Sequence, residues 1–100
     1  MTDKVVFRAW RAGGDVIALF PRIPGDNAGY LCNAYEHVGQ HGAADWDVVL
    51  RRTRPARRTE YRELAGELRA LGYRLKVGRR GTAGDRAARA RAARGDWTDN

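Results

Sequence analysis

The residue types able to do chemistry are concentrated between Gly29 and Asp47, in the stretch GYLCNAYEHVGQHGAADWD. It holds the one cysteine, Cys32, both histidines, His37 and His41, and the acids Glu36, Asp45 and Asp47. His37, His41 and Asp45 recur at four-residue spacing, and imidazole, carboxylate and thiolate are ligands that zinc, iron or nickel accept. Four-residue spacing puts two imidazoles on one face only if the segment is helical, and Gly39 and Gly42 argue against a helix. The ligand words of established zinc sites, CxxC and HExxH, are missing. The competing reading has one histidine packed under a sheet with a satisfied hydrogen bond and the other solvated. Cys32 with His37 or His41 would make a nucleophile and its base, but an alternating strand pattern around Cys32 makes it a small core residue. The carboxylates of Glu36, Asp45 and Asp47 serve equally well as partners for nearby arginines. Gly13-Gly14 joins two strands rather than opening a helix, so it is a turn and not a phosphate loop. Together these features predict a binding protein, not an enzyme, with no cofactor.

The second chemical feature is charge. The 100 residues carry 19 Lys+Arg against 12 Asp+Glu, a formal net charge of +7. Such a balance favours nucleic acid or an acidic protein surface as partner. Because 17 of the 19 are arginine and the chain is rich in Ala and Gly, a GC-rich coding bias accounts for the excess equally well. The densest run is Arg51, Arg52, Arg54, Arg57 and Arg58, whose guanidinium forks match phosphate geometry. Trp10, Tyr30, Tyr35 and Trp46 would stack bases if they lay on an exposed sheet face. The alternative is a protein-interaction module, with Tyr30, Tyr35, His37, Gln40 and His41 as recognition residues.

The elements that must position these groups follow from periodicity. Lys4 to Trp10 alternates, Ala12-Gly13-Gly14-Asp15 supplies a turn, and Val16 to Phe20 is a continuous apolar run that Pro21 ends. Tyr30 to Tyr35 and Trp46 to Arg52 alternate as strands, with His37 to Asp45 connecting them. Tyr61, Leu64, Ala65, Leu68 and Leu71 recur at helical spacing up to Gly72, with either Thr59 as cap or Thr53 initiating the turn before Pro55. Tyr73 to Val77 reads as a closing strand. The expected architecture is α+β: an antiparallel sheet of four or five strands in the order β-β-β-β-α-β, with one helix on a face. Residues 1–78 form this domain. Residues 79–100, rich in Arg and Ala and without a burial stripe, predict a frayed helix or a disordered basic tail. The longest apolar run is strand-sized, the N-terminus lacks a signal-peptide layout, and a lone cysteine suits a reducing compartment. The expected location is the cytoplasm.

VVFRAW, GDVIALFP, GYLCNAYEHVGQH, TRPA and LRALGYRLKV together resemble a small family of uncharacterised bacterial and phage or mobile-element proteins. The likeness spans about residues 4–78, and HVGQH is its most specific word. It implies that Tyr30, His37, Gly39, Gln40 and His41 belong to a family signature, and it points to a mobile-element accessory or inhibitor protein. It implies no activity, substrate or partner.

Overall fold

The computed structural model describes residues 2–36 and 40–95, with Gln40 described for its backbone only. The chain is α+β, a six-stranded sheet with helices on both faces. Strands β1 (Asp3–Trp10) and β2 (Val16–Pro24) form the hairpin that the alternation and the double glycine predict. They pair antiparallel with Phe7 opposite Ala18, and Gly13 and Gly14 turn the chain at φ 92° and 79°. β2 pairs antiparallel with β3 (Cys32–Glu36), and β3 with β4 (Gln40–Ala44). Beyond these lie α1 (Trp46–Arg52), β5 (Thr53–Pro55), α2 (Arg58–Ala70), β6 (Leu75–Gly78) and α3 (Ala83–Ala93). The sheet order is β4-β3-β2-β1-β5, and β6 joins the free half of β1 in parallel.

The structure corrects several expectations. β2 does not stop at Pro21. It continues to Pro24 across a register shift after Phe20, a bulge where a missing N–H donor is tolerated. The connection expected from His37 to Asp45 is mostly strand, since β4 occupies Gln40–Ala44, while His37 lies outside the described residues. Trp46 to Arg52 is helix, not strand. Asp45 caps it by accepting a hydrogen bond from the Val48 amide (3.1 Å), and Asp47 in the first turn and Arg51 and Arg52 in the last complement the helix dipole. Trp46, Val49 and Leu50 fit helical spacing as well as the alternation fits a strand, and the cap decides between them. Within the expected tail, Ala83–Ala93 is a docked helix, and residues 96–100 lie outside the described residues. α3 docks along β2 with Asp85 and Arg89 buried.

The core has two faces. On one, Leu64, Ala65 and Leu68 of α2 meet Val5, Phe7, Ala18, Phe20 and Tyr35, with Tyr61 stacked on Phe7 at 4.3 Å. On the other, Ile17, Leu19, Cys32, Ala34 and Ala44 lie against Val49 and Trp46 of α1. The α2 stripe therefore meets the face opposite Ile17, Leu19 and Cys32, and Leu71 is exposed. α2 begins without Thr59. Arg57 is its N-cap, and the Glu60 carboxylate accepts the Arg57 amide at 2.8 Å.

α3 is held by polar groups and small side chains rather than by an apolar stripe. Asp85 accepts hydrogen bonds from Lys4 Nζ (2.6 Å), Arg22 Nη1 (3.1 Å) and the Thr82 amide (3.0 Å). Arg89 donates to the carbonyls of Gly29 and Pro21. Gly29, at φ 79°, runs so close to α3 that a Cβ would sit 3.0 Å from Ala90 Cα. Gly29→Ala is expected to lower stability by about 1–3 kcal/mol, through both the left-handed backbone and the contact. Denaturant unfolding reads this, and an unchanged midpoint would contradict the packing described. Among the described residues no helix is long and apolar enough to cross a membrane.

Candidate nucleic-acid interface

The arginine run is spread along one edge of the sheet. β5 pairs with the end of β1, Thr53 opposite Trp10 and Pro55 opposite Arg8. The end of α1 precedes it and the start of α2 follows it. Arg8 fixes this junction: its Nε donates to Thr53 Oγ1 (2.9 Å), and its Nη2 to the carbonyls of Thr53 (2.9 Å) and Leu50 (3.3 Å). Thr53 is fully buried, and its hydroxyl also donates to the Val49 carbonyl at 2.7 Å. The last turn of α1 is thereby tied to β1 through a single guanidinium. Burial, and after it the nearby charge of Arg11, lowers the pKa of Arg8 from its ordinary value.

Of the five arginines in the run, one is committed. Arg54 makes a two-pronged ion pair with Glu60, Nη1 to Oε1 at 2.7 Å and Nη2 to Oε2 at 2.6 Å. Hydrogen bonds from Arg54 and from the Arg57 amide hold the Glu60 pKa down to about 2, and the bond to Glu60 raises that of Arg54. The pair therefore stays ionised at neutral pH. Arg51, Arg52, Arg57 and Arg58 are exposed, and none of the four makes an ion pair among the described residues. Arg11, which lies far from the run in sequence, belongs with them. Its amide donates to the Arg52 carbonyl at 3.1 Å, and its side chain is exposed. The signal for it was the hairpin itself, which returns the chain at Arg11 beside whatever pairs with Trp10.

The aromatic residues are arranged differently from the expectation. Among the described residues helices pack on both faces of the sheet, so neither presents these rings as an open stacking platform. Tyr35 is buried, and its hydroxyl donates to Glu67 Oε1 at 2.8 Å. The Trp10 indole donates to Glu36 at 3.1 Å. Trp46 is half-buried between α1 and α3, with its ring against Gly81. Tyr30 stands out at 79% exposed, in the loop before β3.

The residues proposed as ligands or nucleophile are separated. His41 lies on the face of Tyr35, with the two rings edge-on at 4.5 Å, and its Nε2 is 3.0 Å from the Tyr73 hydroxyl. Asp45 is four residues along, about 13 Å at strand rise, and is occupied in capping α1. Among the described residues no group of three or more His, Cys, Asp or Glu can hold a metal ion; His37 lies outside them. Cys32 is fully buried on the opposite face from His41, which separates it from that histidine; His37, the other base considered, lies outside the described residues. Burial pushes its thiol up to about 11 from 9.0. At pH 8 the thiolate fraction is then roughly 100-fold below that of an ordinary thiol. Native protein is expected to resist alkylation that is rapid in denaturant, as a mass-spectrometric time course would read; equal rates would mean that Cys32 is accessible. Compared with models of protein families, with curated proteins and with solved structures, the chain matches none.

Proposed function

We propose that the protein binds nucleic acid without catalysing a reaction on it, through the arginine edge of Arg11, Arg51, Arg52, Arg57 and Arg58. The observation that supports this most is selective pairing. Arg54, in the middle of the run, is neutralised by Glu60, while the guanidinium groups around it are exposed and have no carboxylate partners among the described residues. Arginines in the last turn of α1 also serve the helix dipole, but that role does not extend to Arg57 and Arg58 at the start of α2, where positive charge opposes the dipole. Phosphate oxygens are the acceptors that a spread of planar donors on a rigid edge fits.

The test is an amide and arginine-Nε NMR titration of the full chain with short single- and double-stranded oligonucleotides. Shifts centred on Arg11, Arg51, Arg52, Arg57 and Arg58 are the expected result. Shifts confined to other surfaces, or none at all at low salt, would overturn the assignment.

A further inference from the structure

Between the start of α1, the loop before β3 and α3 lies a cleft made of two adjoining cavities of about 520 and 430 Å³. Trp46, Asp47, Arg86, Arg89 and Ala90 line both. Each volume lies within the range of small-molecule sites.

The charge inside the cleft is unusual. Arg89 is 6% exposed, yet its two hydrogen bonds go to neutral acceptors: Nε to the Gly29 carbonyl (2.9 Å) and Nη1 to the Pro21 carbonyl (2.7 Å). No carboxylate among the described residues pairs with it. Its Nη2 has no partner there, and no fully buried side-chain nitrogen or oxygen is left unpaired, so Nη2 keeps some exposure on a residue that lines both cavities. The Trp46 indole N–H also has no partner among the described residues and so is not fully buried. The Arg86 guanidinium, exposed on the next turn toward the start of α3, is a third unpaired donor. Opposite them stand Asp47, which lines both cavities, and Asp45, which lines the second. One desolvated and one exposed guanidinium, with carboxylates and an indole lining the same cleft, suit a ligand that is anionic at one end, planar in the middle and rich in hydroxyl or amino donors at the other.

We propose that this cleft binds a nucleoside monophosphate unit. The phosphate is held by Arg86 and Arg89, the base lies against Trp46, and Asp47 accepts hydrogen bonds from ribose hydroxyls or base amino groups. The unit has two sources, a free mononucleotide or the phosphorylated end of a strand. The second rests on the nucleic-acid reading above. α1 then connects the two regions: Trp46 and Arg52 are six residues apart, about 9 Å along the axis.

The test follows the Trp46 indole and Arg89 Nε resonances of the full chain. The additions are adenosine monophosphate, uridine monophosphate, inorganic phosphate, and one oligonucleotide with and without a 5′-phosphate. Saturable shifts at both resonances with a mononucleotide, and weaker binding of inorganic phosphate, are the expected result. Arg86→Ala is exposed and leaves the packing alone. It should weaken mononucleotide binding about tenfold, the value of one charge-assisted hydrogen bond. Trp46→Phe, which keeps a ring but removes the indole donor, should weaken it less. No shift at millimolar mononucleotide, or equal affinity in Arg86→Ala, would overturn the proposal. A strand that shifts the arginine edge while every ligand leaves the cleft silent would overturn it and leave the edge assignment standing. Mononucleotide binding with no oligonucleotide binding would sustain the cleft and remove the edge.

Discussion

Asp85→Ala is expected to destabilise the protein by about 3 kcal/mol and to lower its melting temperature by roughly 10–20 °C. Asp85 is 2% exposed and is the meeting point of three elements. It accepts from Lys4 on β1, from Arg22 on β2, and from the Thr82 amide at the start of its own helix, while its amide donates to Thr82 Oγ1 at 3.1 Å. Alanine removes the anion from between two cations and deletes half of a capping box. Lys4 and Arg22 are partly solvated, which keeps the loss near the lower end of the range for buried pairs. Deleting residues 79–100 should cost more, because it also removes Arg89 and uncovers Pro21. Thermal unfolding followed by circular dichroism measures both, and a shift below about 3 °C for Asp85→Ala would contradict the clamp.

The same residue gives the clamp a pH dependence. Burial alone would raise the Asp85 pKa, but the hydrogen bonds from Lys4, Thr82 and Arg22 outweigh it and hold the pKa below its ordinary 3.8. A carboxyl whose folded pKa is depressed adds stability that is fully present above the unfolded value and is lost as pH falls through the folded one. Acid should therefore weaken wild type below about pH 4. The acid limb of the alanine variant should be flatter.

Changing Arg51, Arg52, Arg57 and Arg58 together to Ala is expected to abolish most nucleic-acid binding and leave the fold intact, since all four are exposed. Each phosphate contact contributes about 0.7–0.9 to the slope of log affinity against log salt, so the four-residue variant should lose about 3 from that slope. Arg54→Ala is the informative control. It frees Glu60, places an uncompensated carboxylate at the start of α2 and weakens the turn, but should change the slope by less than one of the other arginines does. Anisotropy titrations at several salt concentrations separate the two. A loss for Arg54→Ala equal to that of its neighbours would mean that the Glu60 pair opens on binding.

The parts of the fold legible in the sequence were those set by local chemistry. The first hairpin follows from a double glycine between apolar strands. Helix α2 follows from an apolar stripe closed by Gly72. What was hidden depended on partners distant in sequence or on a competing period. Trp46 to Arg52 satisfies both periods, and only the hydrogen bond from Val48 to Asp45 selects helix. Helix α3 has no large apolar residue, so burial-based reasoning gives it nothing to dock with. Its attachments, Asp85 to Lys4 and Arg89 to Gly29 and Pro21, span 60 residues or more. Pro21 reads as a stop until the bulge that accommodates it is known. At the candidate site the arginine run was plain in the sequence, but the pairing that removes Arg54 and the hairpin contact that adds Arg11 were not. The His37-His41-Asp45 spacing had a chemical meaning only if the segment were helical, and β4 draws His41 and Asp45 apart.

The most direct measurement is the affinity of the intact full chain for labelled single-stranded and duplex oligonucleotides between about 50 and 300 mM salt. An affinity that falls steeply with salt, with a slope of about −3 or beyond, is what binding through the unpaired arginines of the β5 edge predicts. An affinity that is absent at the lowest salt, or that does not change across the range, would contradict it.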